Sequence, residues 1–570
     1  MIEKLKKYYQ NKKPEIVNGM ILSHIQPHTR PVEKLTQCSS GVITAKYYFG
    51  VRYFDCIDDD LAKNMVAELK KLQITDENSP HYGCMRWYRE ETFVTDSNGA
   101  FFVLLPLAIA YKFCKDKLTA EEKSDIEQLL SRGSKWFLPE LSKTIFYTNK
   151  ILSDGAISTL IAHITGNGRD ECLTFWNKWL DYAETRGMGW GENTSDVYSA
   201  IILDALNLAI LTIDDDKLKK RIENIRETII DYLVFHSGKP MVPSIRTYNF
   251  DADDKQEMGG YIYKAMALGE NENALMSAMS VIIAKESGMV IPKTKMQSNF
   301  RTEKIFDSSV AYTWKGNGIR LGTVSQFPVM KNCYQRDGWG LGWQSMPACI
   351  LVENNGIVFL RERVEVNGNT HTHPAINKHN AFLSNRLFED GNLKTVMTNS
   401  SQNKNIAIVS RGINKLANSA SAIYDEWCIP KNDNTVIEAI EYKGRKWYLI
   451  SCDNRAIALT HLGGFAHGYE GRGNIEICIS ESGIFDTVSA KLYCGEQKIL
   501  FDERLESSWI IIAFEDKNKI PEDIEQLEIT DETLLNIYEA EGVHNKSKKI
   551  TCNFKGETLE LTVSPDSYKS

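Results

Sequence analysis

With 570 residues the chain is too long for one ordinary domain and fits two or three. Hydrophobic residues make up 42% and charged residues 25%, the balance of a globular protein, and a net charge of −8 excludes nucleic acid as the main partner because phosphate binding needs a basic face. No run approaches the roughly 20 apolar residues that span a bilayer, so no membrane partner is expected.

The first residues, MIEKLKKYYQNKKPE, have neither the apolar core nor the small-residue cleavage site of a leader. The twelve cysteines stand singly with no CxxC, so a cytoplasmic location with reduced thiols is expected. Residues 1–49 read as an N-terminal arm, and residues 20–56, which include His24, His28 and Arg30, read as irregular.

Helical patterning follows. A helix is expected from Asp60 to Leu72. Ala100–Phe113 (AFFVLLPLAIAYKF) is apolar on all sides and contains Pro106, which predicts a buried, kinked inner helix. Thr119-Ala-Glu-Glu122 is a capping box opening an amphipathic helix to about Phe137. Further helices are expected at 150–165, 169–185, 195–212, 215–236, 257–268 and 271–287. Apolar helices alternate with helices carrying one charged face, the pattern of paired inner and outer helices in an (α/α) toroid over residues 50–290.

Near residue 290 the pattern changes. Ser287–Lys304 is polar and aperiodic, a linker. Beyond it lie short runs such as GIVFLRERVEV, NIAIVSRG, KWYLISCDNRAIALTHL, NIEICISES, DTVSAKLYC, SSWIIIAFE and KKITCNFKGETLELTVS, with Lys555-Gly556 as a hairpin turn. Many short strands without intervening helices predict an antiparallel β-sandwich over residues 303–570. The expected fold is therefore multidomain α and β, a toroid followed by a sandwich.

Five stretches carry candidate chemistry. In Arg186–Tyr198 (RGMGWGENTSDVY) three glycines lead into an inner helix, with Thr194 or Ser195 as N-cap. Trp190, Glu192, Asn193, Asp196 and Tyr198 crowd its mouth, either as a sugar site or as a cap beside a buried indole. Arg86, Trp87, Tyr88 and Arg89 offer cations and aromatic faces suited to a charged sugar, or simply core. Arg246, Tyr248 and Asn249 follow a long helix, with a cation for a carboxylate and a hydroxyl for a proton. Around Trp339, tryptophans and glycines alternate in a binding loop or a packing motif. Three of eleven histidines fall within nine residues, His371, His373 and His379, and the first two share a face if the segment is extended. They suit metal ligation, proton transfer or a hydrogen-bond network. No carboxylate or cysteine at zinc-like spacing completes a metal site, so no cofactor is required and a structural metal is not indicated.

The stretches RWYREE…TDSNGAFF, WGENTSDVYSAIILDAL and IRTYNF, set in this layout, resemble the toroid-plus-sandwich polysaccharide lyases such as heparinase II/III, chondroitin AC lyase and hyaluronate lyase. They resemble more closely a branch that includes enzymes removing rhamnose capping glucuronate. The resemblance covers most of the chain in layout and is specific in a few short motifs. It implies β-elimination on uronate-containing oligosaccharides, with release of a terminal sugar. In the better-known lyases an Asn–His pair neutralises the uronate, and the helical half of this chain has no Asn-His dipeptide.

Elimination needs donors that neutralise the carboxylate as the adjacent proton leaves, a base for that proton and an acid for the leaving oxygen. Asn193 and Arg246 are the candidates for the first task, and Tyr248 with His371 or His373 for the others. Arg86, Trp87, Tyr88, Arg89, Trp190, Glu192, Tyr198, Asn249 and Trp339 are the candidate substrate-binding residues. The rival chemistry is glycoside hydrolysis with two carboxylates drawn from Glu91, Asp96, Glu192 and Asp196. A sugar-binding protein without catalysis is the third reading.

Overall fold

The computed structural model describes residues 1–24, 32, 34–143, 148–245, 262–269, 278–293, 298–306, 309–327, 346–370, 396–413, 420–463, 476–499, 505–537 and 544–563. The chain divides into two compact units. One is helical, Met1–Thr185 with Ala200–Gly238 and Tyr261–Thr294. The other holds the large sheets, Arg186–Ser199 with Lys239–Gly260 and Lys295–Ser570.

The helical unit begins with α1 (Ile2–Asn11) and a small antiparallel sheet of β1 (Ile16–Val17), β2 (Met20–His24) and β3 (Gln37–Ser40). The expectation of an irregular 20–56 is corrected here, because β2, β3 and the long helix α2 (Gly41–Tyr53) occupy much of it. The α2 sequence, GVITAKYYFGVRY, is poor in strong helix formers, and burial overrides that propensity. Ser40 caps it, its Oγ accepting from Ile43 N at 3.2 Å.

Next come α3 (Asp59–Lys70), α4 (Gly99–Cys114, with Pro106 inside), α5 (Ala120–Glu140), α6 (Thr148–Thr165) and α7 (Arg169–Thr185). They are followed by α8 (Asp196–Thr212), α9 (Asp216–His236), a π-helical segment at Lys264–Leu268 and α10 (Ala278–Glu286). The capping box at Thr119 and Glu122 is present. Glu122 also binds Arg52 of α2, at 2.7 Å and 2.9 Å, so a local cap doubles as a tertiary tie.

Helix contacts fall into two rows. The apolar α4 packs against α2 and α6, and α10 packs against α2. The amphipathic α3 packs on α5, and α7 on α9. Between rows, α2 meets α3, α4 meets α5 and α6 meets α7. Gly155 sets the α6–α7 approach, since a Cβ there would stand 2.1 Å from Phe175 Cε1. Gly155→Ala is expected to destabilise the protein by about 1–3 kcal/mol through overpacking. An unchanged thermal midpoint would show that the two helices can part without penalty.

In the sheet unit every described strand pairing is antiparallel. One sheet orders β17 (Glu476–Ser482), β18 (Phe485–Ile499), β13 (Ala420–Pro430), β9 (Gly356–Val366), β8 (Ala348–Val352), β6 (Ile319–Val324), β5 (Ser309–Lys315) and β4 (Phe300–Phe306). The other orders β14 (Thr435–Tyr442), β15 (Arg445–Cys452), β16 (Arg455–His461), β19 (Leu505–Phe514), β12 (Ile406–Ile413), β11 (Val396–Asn403) and β7 (Gln326–Phe327). A single core takes Leu321, Ile350, Leu360, Trp427 and Val488 from the first and Val409, Tyr448, Ile457, Trp509 and Ile511 from the second.

The run KWYLISCDNRAIALTHL, read as one stretch, is two strands split at Asp453, which takes φ 53°. Lys555-Gly556, with φ 51° and 79°, makes the expected two-residue hairpin between β21 (His544–Phe554) and β22 (Glu557–Val563). Only the short α11 (Ile520–Glu525) interrupts the described strands after residue 300, beside a 3-10 turn at Lys517–Lys519.

Candidate functional site

In the helical unit the charged groups of the 86–91 stretch are spent on holding the loop. Arg86 donates to Glu91 O at 2.5 Å and to Lys71 O at 2.7 Å. Arg89 donates to Asn18 O and to Glu68, both at 2.9 Å. Glu91 accepts from Trp87 N at 2.7 Å, Tyr88 N at 3.3 Å and Thr95 Oγ1 at 2.6 Å. Tyr88 is buried, its hydroxyl 3.5 Å from His24 O. The indole N–H of Trp87 bonds Asp96 O at 3.0 Å, and its ring lies 5.3 Å from that of Phe102 on α4.

Phe102 leads to a cluster that the sequence reading did not single out. Lys46 of α2 places Nζ 5.7 Å from the Phe102 ring centroid. Asp204 of α8 lies within electrostatic reach of Lys46. Ser280 of α10 donates to Asp204 Oδ2, while the buried Oδ1 has no hydrogen-bond partner among the described residues. The Lys46 ammonium has neither a hydrogen bond nor an ion pair among them. Both residues keep some exposed surface, and Asp204 Oδ1 is buried. Burial therefore lowers the Lys46 pKa, and burial raises that of Asp204 to about 7, each opposed by the other's charge. A cation with no hydrogen-bonded anion among the described residues, an acceptor without a donor and an aromatic face together suit an acidic sugar.

A sequence signal for this cluster existed. Asp204 is the single charge in VYSAIILDALNLAIL, and Lys46 shares the largely apolar GVITAKYYFGVRY only with Arg52, which Glu122 pairs. A charge at such a position needs either a partner or a function. A second buried carboxyl, Asp154 on α6, accepts from Lys150, and burial raises it to about 6.

In the sheet unit the glycine-rich loop is a tight turn. Gly187, Met188 and Gly191 have φ of 66°, 67° and 89°. Asn193 Oδ1 accepts from Trp190 N and its Nδ2 donates to Met188 O, both at 3.0 Å. Gly191 N bonds Ile305 O at 2.8 Å, and Ile245 N bonds Thr194 O at 3.1 Å. Ser195 is the N-cap, accepting from Tyr198 N at 3.2 Å. Trp190, Glu192, Asn193 and Tyr198 are buried. The Asn193 amide thus stitches its own loop and keeps one N–H for other use.

Arg246, Tyr248, Asn249, Trp339, His371 and His373 lie outside the described residues, as do His28, Arg30 and His379. Trp87 belongs to the helical unit, and Trp190 and Asn193 to the sheet unit. Among the described residues no cluster of three histidines, cysteines or carboxylates could hold a metal ion. No described helix is long and apolar enough to cross a membrane.

No family model matches the sequence, and no curated protein matches it. Among solved structures, heparinase III is similar at TM-score 0.46 and 10% identity, over 97% of this chain and 85% of that one. A heparan sulfate lyase mutant from Pedobacter heparinus gives 0.43 and 12%, over 98% and 93%. A chondroitin AC lyase mutant from Streptomyces coelicolor gives 0.40 and 9%, over 100% and 94%. The proteins that this chain resembles in structure are thus lyases by name, at a likeness too low to assign it a residue or a reaction.

Proposed function

We propose that the chain is a carbohydrate-active lyase that cleaves uronate-containing oligosaccharides by β-elimination and releases a terminal sugar. In this reading the two helix rows form an (α/α) toroid and the two large sheets a β-sandwich. The observation that carries it is the Lys46 ammonium, with no hydrogen-bonded anion among the described residues and beside an aromatic face.

Lys46 would take the uronate carboxylate. Neutralising it lets negative charge build up as the adjacent proton leaves, which is the main electrostatic demand of the reaction. Phe102, backed by Trp87, would carry the apolar face of the sugar ring. From residue chemistry alone, Tyr248 with His371 or His373 are the proton-transfer candidates and Asn193 and Arg246 the alternative carboxylate donors to Lys46, each taken by itself.

The test is ultraviolet absorbance during incubation with uronate oligosaccharides, because only elimination creates the unsaturated chromophore. Tyr248→Phe is expected to lower the elimination rate by about 10²–10⁴-fold with substrate affinity largely kept. Arg246→Ala is expected to weaken binding as well as rate. A Tyr248→Phe enzyme with near-normal elimination would remove Tyr248 from the mechanism.

One observation favours hydrolysis as the second reading. Burial raises Asp154 to about 6 and Asp204 to about 7, toward the range in which a carboxyl can act as a general acid. Sugar release without the chromophore, lost in Asp204→Asn, would select it.

A further inference from the structure

We propose that Phe93 holds the sugar adjoining the uronate at Lys46, so that the helical unit binds a chain of at least two sugars in preference to an isolated uronic acid. This rests on the uronate reading for Lys46 and goes beyond it in giving the substrate a second subsite.

The starting point is exposure. Two phenylalanines are strongly exposed among the described residues, Phe300 at 44% and Phe93 at 59%. Phe300 lies flat on Tyr312, with ring centroids 5.9 Å apart. Phe93 has neither a ring nor a cation beside it among those residues, and more than half of its surface meets water.

A single exposed apolar side chain on a loose loop signifies little. The loop that carries Phe93 is pinned from both sides by one buried carboxylate. Glu91 accepts from Trp87 N and Tyr88 N on one side and from Thr95 Oγ1 on the other. Arg86 holds the Glu91 carbonyl, and the Trp87 indole holds that of Asp96. Phe93 stands midway between Glu91 and Thr95. A buried charge therefore fixes a short turn whose tip is an aromatic ring. Because the backbone is already ordered, stacking a ligand on that ring costs little further entropy.

Position says which ligand. Two residues of chain span at most about 7 Å, which bounds how far Phe93 lies from the Glu91 and Thr95 backbone. Glu91 bonds the backbone of Trp87, whose indole lies 5.3 Å from the Phe102 ring, and Lys46 Nζ lies 5.7 Å from that same ring. On the other flank Ser40 bridges to Tyr88 and caps α2. The first turn of α2 carries Ile43, which is exposed, and Lys46 follows three residues later on the same helix face. Phe102 and Lys46 both keep accessible surface. Ile43, Phe93 and Phe102 thus gather apolar surface around the Lys46 cation. A uronate carboxylate at Lys46 leaves the next sugar of the chain within reach of Phe93, whose phenyl is covered by the C–H face of that sugar.

The experiment is calorimetric titration of the full chain at pH 8 with two probes. One is glucuronic acid. The other is a trisaccharide with a central glucuronic acid and CH₂ in place of both glycosidic oxygens, which neither elimination nor hydrolysis can cleave. Covering one face of an exposed phenyl removes part of its apolar surface from water, so the wild-type protein is expected to bind the trisaccharide roughly tenfold more tightly than the monosaccharide. Phe93→Ala and Phe93→Leu are expected to lose most of that ratio with the monosaccharide affinity unchanged, and Phe93→Trp to keep it. The thermal midpoint of all three should stay at the wild-type value, because the position is exposed. No wild-type preference for the trisaccharide, a full ratio in Phe93→Ala or Phe93→Leu, or an equal loss for both probes would overturn the inference.

Failure of the lyase reading looks different. A preference that depends on Phe93, with no chromophore from any natural oligosaccharide, would sink elimination and leave the second subsite standing. Chromophore formed with the same KM by the wild type and Phe93→Ala would do the reverse.

Discussion

Lys46→Met is expected to cut elimination by about 10–150-fold while leaving the protein as stable as before or more so. Methionine matches the length and packing of the lysine stem but removes the charge. The lost contact is a charge-assisted one, worth about 1.5–3 kcal/mol. Stability moves the other way because the buried ammonium is unfavourable in the folded state.

The sign follows from linkage. The Lys46 pKa is lowered on folding, so the unfolded chain binds that proton more tightly, and stability falls as pH drops below the ordinary lysine range. Asp204 has a pKa raised to about 7, so its contribution is present below the ordinary carboxylate pKa and is lost as pH rises through about 7. Both groups thus weaken the fold most between about pH 7 and the lowered lysine pKa, the window in which both are charged. Thermal melts of Lys46→Met and the wild type at pH 8, run beside rate measurements, check both halves. A variant that melts lower and still eliminates normally would make Lys46 a packing residue.

Glu426→Ala is expected to be strongly destabilising, by about 3–5 kcal/mol, because it removes the counter-charge of the buried Arg361 and one of two carboxylates on the half-buried Arg363. Glu426 on β13 meets Arg361 Nη2 at 2.7 Å and Arg363 Nε at 3.0 Å, both from β9, and accepts from Ser489 Oγ at 2.9 Å. Glu426, Arg361 and Ser489 are buried. Removing the carboxylate leaves two neighbouring guanidiniums with only Glu365, on Arg363, as a counter-charge among the described residues. Urea unfolding followed by tryptophan fluorescence should show the loss in the sheet unit, where Trp427 and Trp509 sit in the shared core. A midpoint within error of wild type would mean that solvent reaches this network.

Much of the local structure was legible in the sequence. Element type followed from period, since 3.6-residue repeats and apolar runs before residue 290 and two-residue repeats after it each state which face is buried. Ends were legible where the chemistry is short-range. The Thr119–Glu122 box, the Ser195 cap and the Lys555-Gly556 turn depend only on residues within four positions of each other. Helix α2 was missed because its glycines and aromatics weaken the local signal, and only packing makes it a helix.

The partners of each side chain were decided by tertiary structure. Arg86 and Arg89 look like ligand cations in the sequence, yet folding sets carbonyls and Glu68 within their reach. Asn193 looks like a carboxylate donor, and the turn at Met188 to Gly191 engages its amide. Lys46, Phe102, Asp204 and Ser280 come from four helices far apart in the chain, so no spacing rule could have joined them. Periodicity tells a residue whether it is buried. Only the path of the chain decides whether a charge inside a helix meets its opposite in a hydrogen bond, as Arg52 meets Glu122, or stays at a distance from it, as Lys46 does from Asp204.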